Sequence, residues 1–116
     1  MNAIPWLVYE ATGQGKTLLF VSIAQGAAGT TQLVVADATK KIKVVSYMVV
    51  MSAGGTLKFI DDAGDLTGAM TFATNGGASA PGVTSSHWFE TGVNKALSIV
   101  TTTGAATGHL GYFLEA

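Results

Sequence analysis

Positions 42 to 51, Ile-Lys-Val-Val-Ser-Tyr-Met-Val-Val-Met, are apolar almost without interruption. Read as a strand with a side-chain period of two, Ile42, Val44, Ser46, Met48 and Val50 share one face. Lys43, Val45, Tyr47, Val49 and Met51 share the other. An antiparallel sheet covered on one side should show water a polar row. Here both rows are apolar, so both faces need cover. The domain's own second sheet supplies one cover and a neighbouring subunit the other, which predicts an obligate β oligomer. The segment 108–114 repeats the pattern, with Leu110, Tyr112 and Leu114 on one face and Gly111 and Phe113 on the other. The expected subunit-interface residues are therefore Tyr47, Val49, Met51, Leu110, Tyr112 and Leu114; the pattern leaves open which face turns outward.

Turn signals break the rest of the chain at short intervals: Gly13-Gln14-Gly15, Gly26 to Gly29, Ala53-Gly54-Gly55, Asp61 to Asp65, Asn75-Gly76-Gly77 and Thr103-Gly104. The runs between them are rich in Val, Ile, Thr, Phe and Tyr, which suit a pleated surface, and none holds a helical period. Strands are expected near 6–10, 18–25, 31–36, 42–51, 56–60, 67–73, 87–91, 96–102 and 108–114. Residues 75–86, with Pro81 and two glycines, read as a long irregular loop. Short strands at this spacing predict a single all-β domain over residues 1–116, an antiparallel β-sandwich or jelly roll. Within it, residues 1–10 read as an N-terminal arm or a first strand.

Composition sharpens the picture. Hydrophobic residues make up 48% of the 116 and charged residues only 11%, against about 25% charged in an average domain. Such a chain either carries an uncharged Ser/Thr/Gly surface or hides surface in contacts, and this one reads as doing both. The net charge is -1 and every basic residue is a lysine. Without Arg the chain lacks the usual bidentate reader of phosphates and guanine edges, and Lys40, Lys41 and Lys43 form the one basic cluster, so no nucleic-acid partner is expected. There is no cysteine, hence no disulfide framework or thiolate site. The N-terminus lacks a basic region before an apolar run, and the run Leu18 to Ala24 is far below the roughly 20 residues that span a bilayer. No membrane is expected, and synthesis in a cytoplasm is.

Little in the chain invites chemistry. Gly13-Gln14-Gly15-Lys16-Thr17 has Glu10 where a phosphate loop needs its first Gly, and the residues after it read as a strand, not a helix. Asp61-Asp62-Ala63-Gly64-Asp65 lacks the alternating ligands and closing Glu of a calcium loop, and a hairpin tip accounts for it. His87 and His109 have no second ligand at metal-binding spacing. Ser85, Ser86, His87 and Asp37 supply triad residue types but no nucleophile elbow or oxyanion loop. Trp88 and Phe89 suit either a sugar platform or packing; as adjacent strand residues they point to opposite faces, and Trp88 joins the interface candidates. No catalytic, cofactor-binding or metal-binding residue is assigned, and an enzyme is not expected.

Lys41-Ile42-Lys43-Val44, Gly68-Ala69-Met70, Asn75-Gly76-Gly77 with Pro81, Trp88-Phe89-Glu90-Thr91, Ala96-Leu97-Ser98-Ile99 and Gly108-His109-Leu110-Gly111-Tyr112, in that order, resemble small structural proteins of tailed phages and prophages. These are similar to jelly-roll virion decoration, or cement, proteins. Leu110-Gly111-Tyr112-Phe113-Leu114 also looks like the closing strand of tumour-necrosis-factor-like heads, which trimerise through it. The resemblance spans roughly residues 31–116. It implies a homotrimer seated on the major capsid protein of a phage head, at the virion surface, with no catalytic residue to carry over. The alternatives are a receptor-binding knob of a tail or fibre, meeting a sugar through the 75–86 loop and Trp88, and a free carbohydrate-binding module. A fibre tip is expected to follow a repetitive shaft, and none is expected here, which favours decoration.

Overall fold

A computed structural model describes residues 7–9, 15–82 and 87–116, and among them every regular element is a strand. A small hairpin pairs β1 (Leu7–Tyr9) with β2 (Gly15–Thr17), where the sequence placed a strand near 6–10 and a turn. Then come β3 (Leu19–Ala24), β4 (Gly29–Val34), β5 (Lys41–Met51), β6 (Gly55–Asp61) and the two-residue β7 (Gly64–Asp65). They are followed by β8 (Met70–Phe72), β9 (Gly77–Ala80), β10 (Phe89–Glu90), β11 (Leu97–Thr101) and β12 (Ala106–Glu115). All pairings are antiparallel.

Two sheets form the body. One runs β10-β5-β12-β3, with β9 pairing β5 beyond β10; the other runs β4-β11-β6-β7, with β8 also pairing β6. They pack face to face around Ile23, Ile42, Val44, Val49, Met51, Ala106 and Leu110 from the first and Val34, Leu57, Phe59, Leu97 and Ile99 from the second. Tyr47, Phe59 and Phe89 stack at tilted angles, with ring centroids 5.0–6.4 Å apart, and close the core beneath β10. The fold is all-β, two antiparallel sheets forming a sandwich.

The phase of β5 departs from a uniform alternation. Gly111 pairs with Ser46 but Tyr112 pairs with Val44, so Val45 is an extra residue bulged out of the ladder. A bulge re-aims every side chain beyond it. The inward row is Ile42 and Val44 before the bulge and Tyr47, Val49 and Met51 after it. The outward row is Lys43, Val45, Ser46, Met48 and Val50. The two continuous apolar rows expected from the sequence are thus one inward row that changes phase. Val45 itself lies buried with Phe113 in a small outer cluster joined by Leu18.

Within one subunit, Val49, Met51 and Leu110 of the expected interface are fully buried, and the half-buried Tyr47, Tyr112 and Leu114 pack against the same core. A correction concerns residues 75–86, read as an irregular loop: Gly77–Ala80 is a strand whose ladder runs Tyr47↔Ala80 to Val50↔Gly77.

One buried polar side chain ties the sheets together where β3 leaves the first for β4 in the second. Gln25 Oε1 accepts hydrogen bonds from Thr101 Oγ1 (2.7 Å) and the Ala106 amide (2.9 Å). Its Nε2 donates to the Gly29 carbonyl (3.0 Å) and Thr31 Oγ1 (3.1 Å). Every polar position of the amide is used, as a buried amide requires.

Candidate interaction surface

The outer faces of the two sheets differ in chemistry. On the second sheet, burial of Leu57, Phe59, Leu97 and Ile99 turns Thr56, Lys58, Ile60, Ser98 and Val100 outward. Lys58 pairs with Asp65 there at 3.0 Å, and Gln32 and Thr30 continue the polar surface along β4. Polar and charged side chains surround Ile60 and Val100 on this face.

The first sheet turns different residues to water. Met48 and Val50 of β5 are 46% and 44% exposed, and Phe20 of β3 is 61% exposed. Trp88, half exposed, sits at the bend before β10, its amide donating to the Val44 carbonyl, beside Phe89, whose ring turns into the core. Its indole N–H donates to the Pro81 carbonyl at 3.0 Å, which holds the ring in place. Small residues fill the spaces, Ser22 and Ala24 on β3, Thr107 on β12, Gly77 and Ser79 on β9, around His109 of β12. Met48, Val50, Gly77 and Ser79 line a shallow depression between β5 and β9.

Two glycines shape this face. A Cβ on Gly111 would lie 3.2 Å from a Phe20 ring carbon and 2.5 Å from Ser46 Oγ, so the ring lies across the gap that the glycine leaves. Gly108, at φ +152°, lets β12 approach β5 so closely that a Cβ would sit 1.8 Å from the Met48 carbonyl oxygen.

Ionised side chains gather at one end of the sandwich. Glu90 takes Lys41 at 3.1 Å, Lys43 at 3.7 Å and His87 Nε2 at 3.0 Å, and Lys43 also pairs with Glu115. Burial pushes the Glu90 carboxyl up, but the hydrogen bond from Lys41 and the charges of Lys41, Lys43 and His87 outweigh it and hold the group below its usual value. Asp61 belongs to the same end. Burial again pushes it up, and the amides of Gly92, Ala63 and Gly64 with the charge of Lys95 bring it below the usual value. Asp62 accepts from the Ala96 amide at 2.9 Å. The acidic turn therefore ties β6 to the loop before β11.

The opposite end carries no ionised residue in its loops 24–29, 51–55, 73–77 and 101–106. Hydroxyls knit it instead: Gly54 N–H to Thr74 Oγ1 (3.1 Å), Thr56 N–H to Thr102 Oγ1 (3.0 Å) and Ala105 N–H to Ser52 Oγ (3.0 Å).

The residues that suggested chemistry are dispersed. Gly15–Thr17 is a strand leading into β3, while Glu10, Gly13 and Gln14 lie outside the described residues. Ser85 and Ser86 also lie outside them. Asp37 accepts from the amide and hydroxyl of Thr39 in a local turn, and His109 sits mid-sheet between Met48 and Ser22. Among the described residues, no group of three or more His, Asp or Glu is placed to hold a metal ion, and no helix is long and apolar enough to cross a membrane.

Of the seven expected interface residues, the structure leaves Trp88 exposed. Phe20, Met48 and Val50 are the residues the sequence reading missed. Met48 and Val50 were assigned opposite Val49 and Met51 correctly, but nothing within one strand marks the bulge that decides which pair faces out. Compared with protein-family models, curated proteins and solved structures, the chain matches none.

Proposed function

We propose that this chain is a structural protein that works by assembly, packing the outer face of its larger sheet against further copies of itself. The observation that carries this reading is the placement of Met48, Val50 and Phe20 on one outer face, with the exposed Trp88 at its edge, whose ionised side chains, Lys43 with Glu90 and Glu115, are confined to one end. Fully burying each such side chain stabilises by about 1.5–3 kcal/mol before the costs of association. Contacts of this kind also explain how a chain with 11% charged residues can dispense with more surface charge.

Within this reading the assembly is a closed homotrimer of jelly-roll subunits, because a three-fold axis brings one face per subunit together without leaving an open end. The setting is the head of a tailed phage, where the trimer seats on the major capsid protein and reinforces the shell from outside, after synthesis in the host cytoplasm. Support for the setting is the resemblance of residues 31–116 to phage decoration proteins. The segregation of charge to one end adds to it, since the uncharged, hydroxyl-knitted loops and the charged cluster give the subunit two unlike ends.

Electron microscopy of particles carrying the protein tests the setting. Density at many three-fold or quasi-three-fold positions of the head is the expected result. Density confined to the tail tip overturns it and favours a receptor-binding knob, in which the immobilised, half-exposed Trp88 ring would meet a sugar.

A further inference from the structure

We infer that the free edge of β3 is a second self-association site, at which β3 pairs with β3 of another copy across a two-fold axis and joins two sheets into one. Edge strands present unpaired amides and carbonyls, and native proteins blunt them with short length, charge, proline or a bulge. The other edges of this sandwich are blunted. β7, β8, β9 and β10 have two to four residues each, and β4 pairs with β11 through a register shift between Leu97 and Ser98. β3 has six residues in regular register with β12, without charge, proline or bulge. Among the described residues no strand pairs with its other side.

The backbone phase specifies which groups are offered. Gln25 N–H donates to the Ala106 carbonyl, and the register continues through Ile23↔Gly108 and Val21↔Leu110. Odd-numbered residues therefore turn their amides and carbonyls toward β12, while Phe20, Ser22 and Ala24 turn theirs to the open edge.

A second copy fits that edge because the strand is complementary to itself. A two-fold axis at Ser22 sets Ser22 opposite the partner's Ser22 and Phe20 opposite the partner's Ala24, so all three edge amides of each copy find carbonyls. On the outer face the large Phe20 meets the small Ala24, and two serine hydroxyls meet at the axis. On the inner face Val21 falls opposite the partner's Ile23 along the rim of the core. No like charges are brought together, since residues 17–36 contain no charged side chain. The edge is also continuous with the apolar outer face through Phe20. This contact does not need the face contact proposed above. Where both form, two-fold edges link neighbouring trimers into a net, the form a reinforcing layer requires.

The absence of cysteine makes single-cysteine variants clean reporters. Directly opposed residues of a hydrogen-bonded pair have Cα atoms about 5.5 Å apart, within the span of a disulfide. Ser22→Cys is expected to cross-link into covalent dimers under mild oxidation, at least tenfold faster than Thr71→Cys on the outer face of the other sheet. Ser22→Pro removes an amide that the isolated subunit leaves unpaired, and should reduce the assembly to the units that the face contact alone holds while leaving the circular dichroism spectrum unchanged. Cross-linking of Ser22→Cys no faster than Thr71→Cys overturns the proposal. If Ser22→Pro fails to fold, the cross-linking comparison alone decides. Adding Met48→Lys to Ser22→Cys separates the two contacts: dimers that still cross-link while larger species vanish support both. Cross-linked dimers with no larger species in either background would retain the edge contact and discard the face.

Discussion

Gln25 shows how much of this fold rests on single polar residues. Its amide satisfies Thr101 Oγ1, the Ala106 amide, the Gly29 carbonyl and Thr31 Oγ1, all at the crossing from one sheet to the other. Leu in its place would leave buried donors and acceptors unmatched, so Gln25→Leu should lower stability by about 2–4 kcal/mol in urea unfolding. A reading of apolar pattern passes over Gln25, because a lone glutamine before Gly26 has the signature of a turn. Asp61 carries the acid response. Its pKa is lowered from 3.8 on folding, so its contribution is fully present above that value and fades as pH falls through the lower folded one. Glu90, lowered from 4.5, acts in the same direction in a slightly higher window. Unfolding free energies measured from pH 7 down to pH 2.5 should therefore drop below about pH 4.5. Asp61→Asn should start less stable and show a shallower acid limb; an unchanged limb would assign the response to other groups.

At the scale of elements, strand positions were legible and strand phase was not. β5 and β12 stand out in the sequence because long β-branched and aromatic runs have no other stable fate in a helix-poor chain. β5 matches its expected span to within one residue. The bulge at Val45 arises only from pairing with β12, so the sequence of β5 alone cannot show it; it sets the inward phase of Tyr47, Val49 and Met51, whereas Leu110, Tyr112 and Leu114 follow the plain alternation of β12. β9 was missed for a different reason. Gly-Ala-Ser-Ala has weak strand preference, but pairing with β5 overrides it, and Gly77 allows an approach in which a Cβ would come within 2.2 Å of the Val49 carbonyl. Deleting Val45 would remove the extra residue and let Ser46 follow Val44 in a uniform alternation, with Tyr47, Val49 and Met51 still facing inward. That variant should reach a native circular dichroism spectrum and lose the contacts of Val45 with Phe113 and Leu18, as Val45→Ala should, at a cost of about 1–3 kcal/mol. A deletion variant that fails to fold while Val45→Ala folds would contradict the register given to the bulge.

For the whole molecule, the unequal outer faces matter most. The second sheet carries Lys58, Asp65, Gln32 and threonines beside the half-buried Ile60 and Val100. The first carries Phe20, Met48 and Val50, with the immobilised Trp88 at its edge. The sequence announced an excess of apolar surface through its low charge, and the structure relocates that surface from the rows of Val49 and Leu110 to those of Met48 and Phe20. Sedimentation velocity of the parent and of Met48→Lys, at matched micromolar concentrations, tests this assembly most directly. The account predicts a discrete oligomer for the parent, with three subunits in its closed unit, and loss of that unit in Met48→Lys with the circular dichroism spectrum unchanged. A parent that sediments as a single monomer throughout the concentration range would contradict it.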